Sequence, residues 1–178
     1  LQGGATLQFT SVPLNFTKQS SIVSYLNTGL WSKKAIKAAS KYASVNVVAS
    51  SEKSKFTFVP NTQEWRVDPD SIYFHYVMNE TIQGLAIRDP ISSEIPLICD
   101  MSSCILSEEV DFNNLDLVYA GAQKNIGPAG LTLVIVKKDF LEKANEDIPD
   151  ILSYKKNSQA GSMLNTPPTF AWYLAGKV

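Results

Sequence analysis

Three short apolar segments in the second half of the chain limit the folds open to it. They are "IPLICD", "LDLVYAG" and "LTLVIVKK". Each is the length of one strand, and none alternates apolar with polar residues along its length. A strand with only one buried face shows that alternation. A strand that is apolar on both faces needs cover on both sides, and that is the pattern of a largely parallel sheet layered between helices. The expected fold class is therefore α/β, with a mostly parallel sheet of the seven-stranded type and helices on both faces.

The remaining segments fit this class. "SIVSYLNTG" reads as a strand running into a turn, and "SVNVVAS" and "SIYFHYVM" read as further strands. "SKKAIKAASKY" predicts a helix with Ser32 as N-cap and Ala35, Ile36, Ala39 and Tyr42 on one face. "KDFLEKAN" also reads as helical. "QGGAT" is a Gly-rich turn able to open a helix, although Pro13 argues against helix over residues 7–17. Residues 51–70 are polar and contain proline; they predict loop with a short strand around "FTF".

Composition narrows the function classes. The chain has 178 residues, 44% of them hydrophobic and 19% charged, with a net charge of -1. That suits one domain with a substantial core and gives no basic surplus for nucleic acid. No apolar run reaches membrane-spanning length. Cys99 and Cys104 lie too close together for a disulfide framework and point to a reducing compartment. The single histidine, His75, sits mid-strand and reads as a packed, hydrogen-bonded residue. With two separated cysteines it makes a poor zinc site.

The polar residues that punctuate the strands are informative. "NET", Asp100 and "AQKN" each follow the carboxyl end of a strand, the edge along which open α/β sheets bind ligands. Thr81, Asp100 and Lys124 are thus expected to converge. A lysine amine is a nucleophile toward an aldehyde, and pyridoxal phosphate (PLP) uses lysine in this way together with an acid at its pyridine nitrogen. Ala120, Gly121 and Ala122 leave room for a flat ring. "GGAT" at a helix start offers N–H groups to a phosphate, and Trp31 offers a face for stacking. Each residue also has a plainer reading. An Asp after a strand serves as a cap, a lone Trp as core, and a loop Lys as a solvated cation.

Taken together, "QGGATLQFTSVPLNF", "NTGLWSKKAIKAA", "NETIQG", "CDMSSCILS", "YAGAQKNIGPAGLT" and "NTPPTFAWYL" resemble the phosphoserine aminotransferases. These are PLP enzymes of fold type I in the class V aminotransferase group, and the likeness runs from end to end. The resemblance implies that Lys124 binds the cofactor covalently and then shuttles a proton, and that Asp100 pairs with the pyridine nitrogen. It implies that Trp31 stacks on the ring and Thr81 bonds near the phenolic oxygen. Ala5 and Thr6 would offer backbone N–H groups to the phosphate, and Gln123 its amide. Asn165 and Thr166 would reach the cofactor phosphate of a neighbouring subunit, since the family works as a homodimer with shared active sites. The implied reaction is amino transfer between glutamate and 3-phosphohydroxypyruvate. It yields 2-oxoglutarate and O-phosphoserine in serine biosynthesis, in the cytoplasm or an organelle.

The family is about twice this length, so residues 1–178 are expected to be its PLP-binding large domain. The N-terminal arm and the small C-terminal domain would lie outside the sequence, and little activity is expected of this piece alone. Arg66 and Arg88 are its only arginines, few for a substrate that carries phosphate and carboxylate. Many bacterial members have arginine where this chain has Thr6, which leaves one phosphate grip in doubt. Other class V enzymes, such as an alanine–glyoxylate aminotransferase or a desulfurase, also keep a lysine and an aspartate here. A non-catalytic dimerisation module with the same fold is a further alternative.

Overall fold

The computed structural model describes residues 1–178. Six strands form one sheet in the order β2-β1-β3-β6-β7-β8, built from β1 (Ile22–Asn27), β2 (Ser44–Ser50), β3 (Ser71–Val77), β6 (Leu97–Asp100), β7 (Leu117–Gly121) and β8 (Thr132–Val136). Every pairing is parallel except the last, where β7 and β8 run antiparallel. The sheet thus has six strands, against the seven expected. Leu1 and Thr132 exchange both backbone hydrogen bonds beside β8, but this single pair is not a strand. A separate two-stranded hairpin, β4 (Asn79–Glu80) and β5 (Leu85–Ala86), follows β3 directly.

The apolar runs behave as their composition demands. All residues of β6 and β7 are buried. Successive residues feed opposite cores, as a period of two requires. Tyr25, Tyr73, Ile98, Leu117 and Tyr119 pack under helices α1 (Gly4–Phe16) and α2 (Leu30–Ala39). Leu26, Phe74, Tyr76, Leu97, Cys99 and Val118 pack on the other face. There they meet Trp65, Val67 and Ile91 from irregular segments and Ala175 from helix α5 (Thr169–Ala175). The short helices α3 (Lys138–Leu141) and α4 (Tyr154–Gln159) complete the α1 side through Phe140 and Tyr154.

Three local expectations give way. Helix α1 runs through Pro13. Proline there removes one helical donor and crowds the carbonyl four residues back, a cost of about 3 kcal/mol. Burial of Phe9, Val12, Pro13 and Phe16 on one face outweighs it. Ser32 is not the N-cap of α2; that place belongs to Gly29, and Ser32 lies one turn inside, accepting from the N–H groups of Thr28 and Gly29. The segment around "FTF" forms no strand, and two short 3-10 turns, Glu52–Ser54 and Thr62–Glu64, occupy that region.

His75 is buried in β3, stacked between Tyr25 and Tyr119, with Nε2 2.8 Å from the Tyr119 hydroxyl. Burial lowers its pKa to about 3, so the ring is neutral. Its folded-state pKa lies below the unfolded value, so the unfolded chain binds the extra proton as pH falls from 6.5 toward 3, and stability is lost across that window. Replacing Tyr119 with Phe leaves the imidazole without this partner in an apolar layer. The expected loss is about 1–3 kcal/mol in urea unfolding at pH 7, and an unchanged midpoint would refute it.

Candidate active site

The strand order reverses direction between β1 and β3, and a cleft opens where β3, β6 and β7 end. In-register pairing brings Val77 beside Asp100 and Asp100 beside Tyr119. The cleft, about 340 Å³, is lined by Ala5, Thr6, Trp31, Asp100, Gln123 and Lys124 among others. Residues spread from position 5 to position 124 are thus brought together by the parallel crossovers and by the packing of α1 against the sheet.

Each wall has a local cause. The glycine pair at the start of α1 has φ of 85° at Gly3 and 61° at Gly4, in the left-handed region where L side chains are strained. A Cβ on Gly3 would also meet Leu7 at 2.5 Å. The chain therefore enters α1 with no side chain capping it. The N–H groups of Gly4, Ala5 and Thr6 have no partner in the chain, as follows for the first turn of a helix without a cap. Gly121, at the end of β7, allows close approach: a Cβ there would lie 2.6 Å from the Gln123 amide oxygen and 3.2 Å from the Ala5 nitrogen. Gln123 thus stands beside the α1 N-terminus.

Asp100 is 4% exposed. Its Oδ1 accepts from the Ser102 N–H at 2.9 Å and from the Ser102 hydroxyl at 2.6 Å. Neither bond uses Oδ2. Ser102 Oγ in turn accepts from the Gly121 N–H at 3.1 Å, which ties the β6 turn to the end of β7. Burial raises the Asp100 pKa to about 6. The Ser102 bonds and the Lys124 charge oppose that rise, and Glu80 adds to it.

On the opposite wall, Lys124 Nζ lies 3.3 Å from the Thr81 hydroxyl and 5.0 Å from the centre of the Trp31 ring. The Trp31 indole N–H donates to the same Thr81 hydroxyl at 2.9 Å. Thr81 is thus the junction between lysine and tryptophan. Asn165 and Thr166 are both exposed and do not line the cleft. Gln2 donates to the Thr166 carbonyl at 3.2 Å, and Pro168 packs over Gly130.

Glu80 and Ser102 belong to this site although sequence reasoning passed over them. Ser102 had a local signal, since a serine two residues after an aspartate is the spacing of an Asx turn. Glu80 had none; its partners lie on α2, 48 and 49 positions away.

The fold and the site together define a class. The model of the Aminotransferase class-V family matches residues 1–178, and the chain belongs to that family. A phosphoserine aminotransferase from Hahella chejuensis is 52% identical over 179 residues, a span that takes in all of this chain and 50% of that protein. The solved phosphoserine aminotransferase from Bacillus circulans subsp. alkalophilus is 42% identical with a TM-score of 0.94, over 98% of this chain and 49% of that one. A PLP-bound phosphoserine aminotransferase from Trichomonas vaginalis is 39% identical with a TM-score of 0.93, over 99% and 50%. The chain spans about half the length of the curated relatives it matches.

A raised carboxylate pKa has a consequence for stability. Between about pH 4 and pH 6 the folded chain holds a proton on Asp100 that the unfolded chain releases, so ionising this group destabilises the fold as pH rises through that window. Asp100→Asn removes the buried charge and keeps an acceptor for Ser102. Without any ligand it is expected to be more stable than the parent chain by about 1–3 kcal/mol at pH 8, with little difference at pH 4. Urea unfolding at the two pH values checks this, and equal stabilities at pH 8 would contradict it.

Proposed function

We propose that this chain is the PLP-binding large domain of a phosphoserine aminotransferase, transferring the amino group between glutamate and 3-phosphohydroxypyruvate to give O-phosphoserine and 2-oxoglutarate. The carrying observation is the convergence of a buried carboxylate, an amine, an indole face and unpaired helix N–H groups on one cleft. The relatives' shared description as phosphoserine aminotransferases supports the choice of substrates.

The residues present fit the cofactor. Unpaired N–H groups at the start of α1 suit a phosphate, because they meet the positive end of the helix dipole; Gln123 stands beside them. A buried carboxylate with a free oxygen suits a protonated ring nitrogen. Trp31 offers an aromatic face beside the Lys124 amine.

When bound, PLP supplies an electron sink for the carbanion formed at the substrate Cα. The protein's own contributions follow from its geometry. Asp100 would hold a proton at the pyridine nitrogen, and a cationic partner there would favour its ionised form. Lys124 would anchor the cofactor through its amine and, once freed by the substrate, would carry the proton from the substrate Cα to the cofactor's C4′. Thr81 orients that amine and fixes the plane of Trp31 through two hydrogen bonds that its one hydroxyl oxygen accepts. The Ala5 and Thr6 N–H groups and the Gln123 amide would hold the phosphate.

Asn165 and Thr166, exposed and off the cleft, suit the family pattern in which this segment reaches a second subunit's cofactor. A homodimer with shared sites is part of the proposal. So is a cytoplasmic setting, supported by the free, buried state of Cys99 and Cys104. A desulfurase is disfavoured: burial pushes both thiols up, Cys104 to about 11, so neither is a ready nucleophile.

Two measurements test the reading. PLP is added to the protein, borohydride reduces the mixture, and peptides are mapped; the pyridoxyl group is expected on Lys124, and label scattered over surface lysines would overturn the assignment. In the full-length polypeptide, Lys124→Ala is expected to lower amino transfer from glutamate by at least about 10²–10⁴-fold, the usual scale for losing a positioned proton carrier.

A further inference from the structure

Glu80 is 1% exposed, and no cation pairs with it. Its two oxygens are taken by backbone donors of α2. Oε2 accepts from the Trp31 N–H at 2.9 Å, and Oε1 from the Ser32 N–H at 2.7 Å. Gln83 Oε1 accepts from the Leu30 N–H at 3.1 Å. The free donors of the first turn are therefore closed by a distant hairpin rather than by a residue at the N-cap, where Gly29 has no side chain to offer. The next residue of the hairpin, Thr81, binds the Trp31 indole. Backbone and ring of Trp31 are thus gripped by consecutive residues.

The sequence makes room for this grip. A Cβ on Gly29 would stand 2.5 Å from the Glu80 carboxyl carbon and 2.6 Å from the Gln83 amide oxygen. The backbone at Gly29 is extended, so glycine is required there by the approach of the hairpin and not by an unusual φ.

We propose that Glu80 is a positioning residue for Trp31: by clamping the first turn of α2 to the hairpin, it sets the depth and tilt at which the indole faces the cleft. The inference rests on the reading of that cleft as a PLP site. A charged acceptor is stronger than a neutral one and favours the positive end of the helix, and two oxygens on consecutive N–H groups fix rotation as well as distance. Glu80 also repels Asp100. Removing its charge therefore favours an ionised Asp100 and tighter cofactor binding, opposite in sign to the effect of a misplaced Trp31.

The test is a double-mutant cycle in the full chain, with PLP as the probe. PLP dissociation constants are measured by absorbance titration, and the visible circular dichroism of the bound chromophore reports its asymmetric surroundings. Glu80→Ala is expected to weaken binding about 10–100-fold, and Glu80→Gln, which keeps one accepting oxygen and the side-chain shape, about 3–10-fold. Both lower the visible dichroism. With Trp31 already replaced by Ala, Glu80→Gln is expected to weaken binding no further and to tighten it at most slightly, because its target is gone and only the lost repulsion of Asp100 remains. Equal effects of Glu80→Gln with and without Trp31 would overturn the proposal and leave Glu80 as a helix cap only. Failure of the parent chain to bind PLP would overturn the cofactor reading itself, and this proposal with it.

Discussion

The site depends on one constraint, the in-register parallel pairing of β3, β6 and β7. Parallel strands end together, so the residues following them share one edge. Val77, Asp100 and Tyr119 lie in line across that edge, and the turns beyond them carry Thr81, Ser102 and Lys124. A slip of one residue in β6 would turn Asp100 from the cleft toward the opposite core, because strand side chains alternate faces. The apolar character of both faces of β6 and β7 does not prevent such a slip by itself. The ties at the two ends of β6 do: the Leu97 N–H donates to Asp116 Oδ2 at 2.8 Å, and Ser102 Oγ, bonded to Asp100, accepts from the Gly121 N–H at 3.1 Å.

Much of this could be read from the sequence because its causes are local or periodic. Continuous apolar runs mark buried strands, and strand ends followed by polar residues mark the ligand edge. His75 was legible as a packed residue from its place in "IYFHYVM". What escaped has non-local causes. Pro13 lies inside a helix because the α1 face is buried, and burial depends on the sheet beneath it. Ser32 looked like a cap because it precedes a helical pattern, yet a glycine and a distant carboxylate take that role. The sheet count of six reflects which residues have neighbours to pair with, which no strand-by-strand reading counts.

The alternatives raised by the sequence are unequal against the geometry. A structural module with the same fold needs a stable edge, and evolution toward stability alone would not leave Asp100 buried with its pKa raised to about 6. Nor would it leave the first turn of a 13-residue helix without any cap. Both features cost stability in the chain as it stands, and both are what a ligand carrying an anionic and a cationic group would relieve.

That complementarity can be followed group by group. Phosphate on the N–H groups of α1 supplies acceptors that the chain lacks, and a protonated ring nitrogen on Asp100 neutralises a charge that burial penalises. Lys124, exposed and held by the Thr81 hydroxyl and the indole face, is the one member that is comfortable without a ligand. The groups proposed to anchor the two ends of the cofactor are thus short of partners, while the Lys124 amine is already oriented. On the proposed reading, binding energy would be drawn from the ends, where it would satisfy the unpaired groups of the fold, and Lys124 would remain free to leave the cofactor and carry a proton.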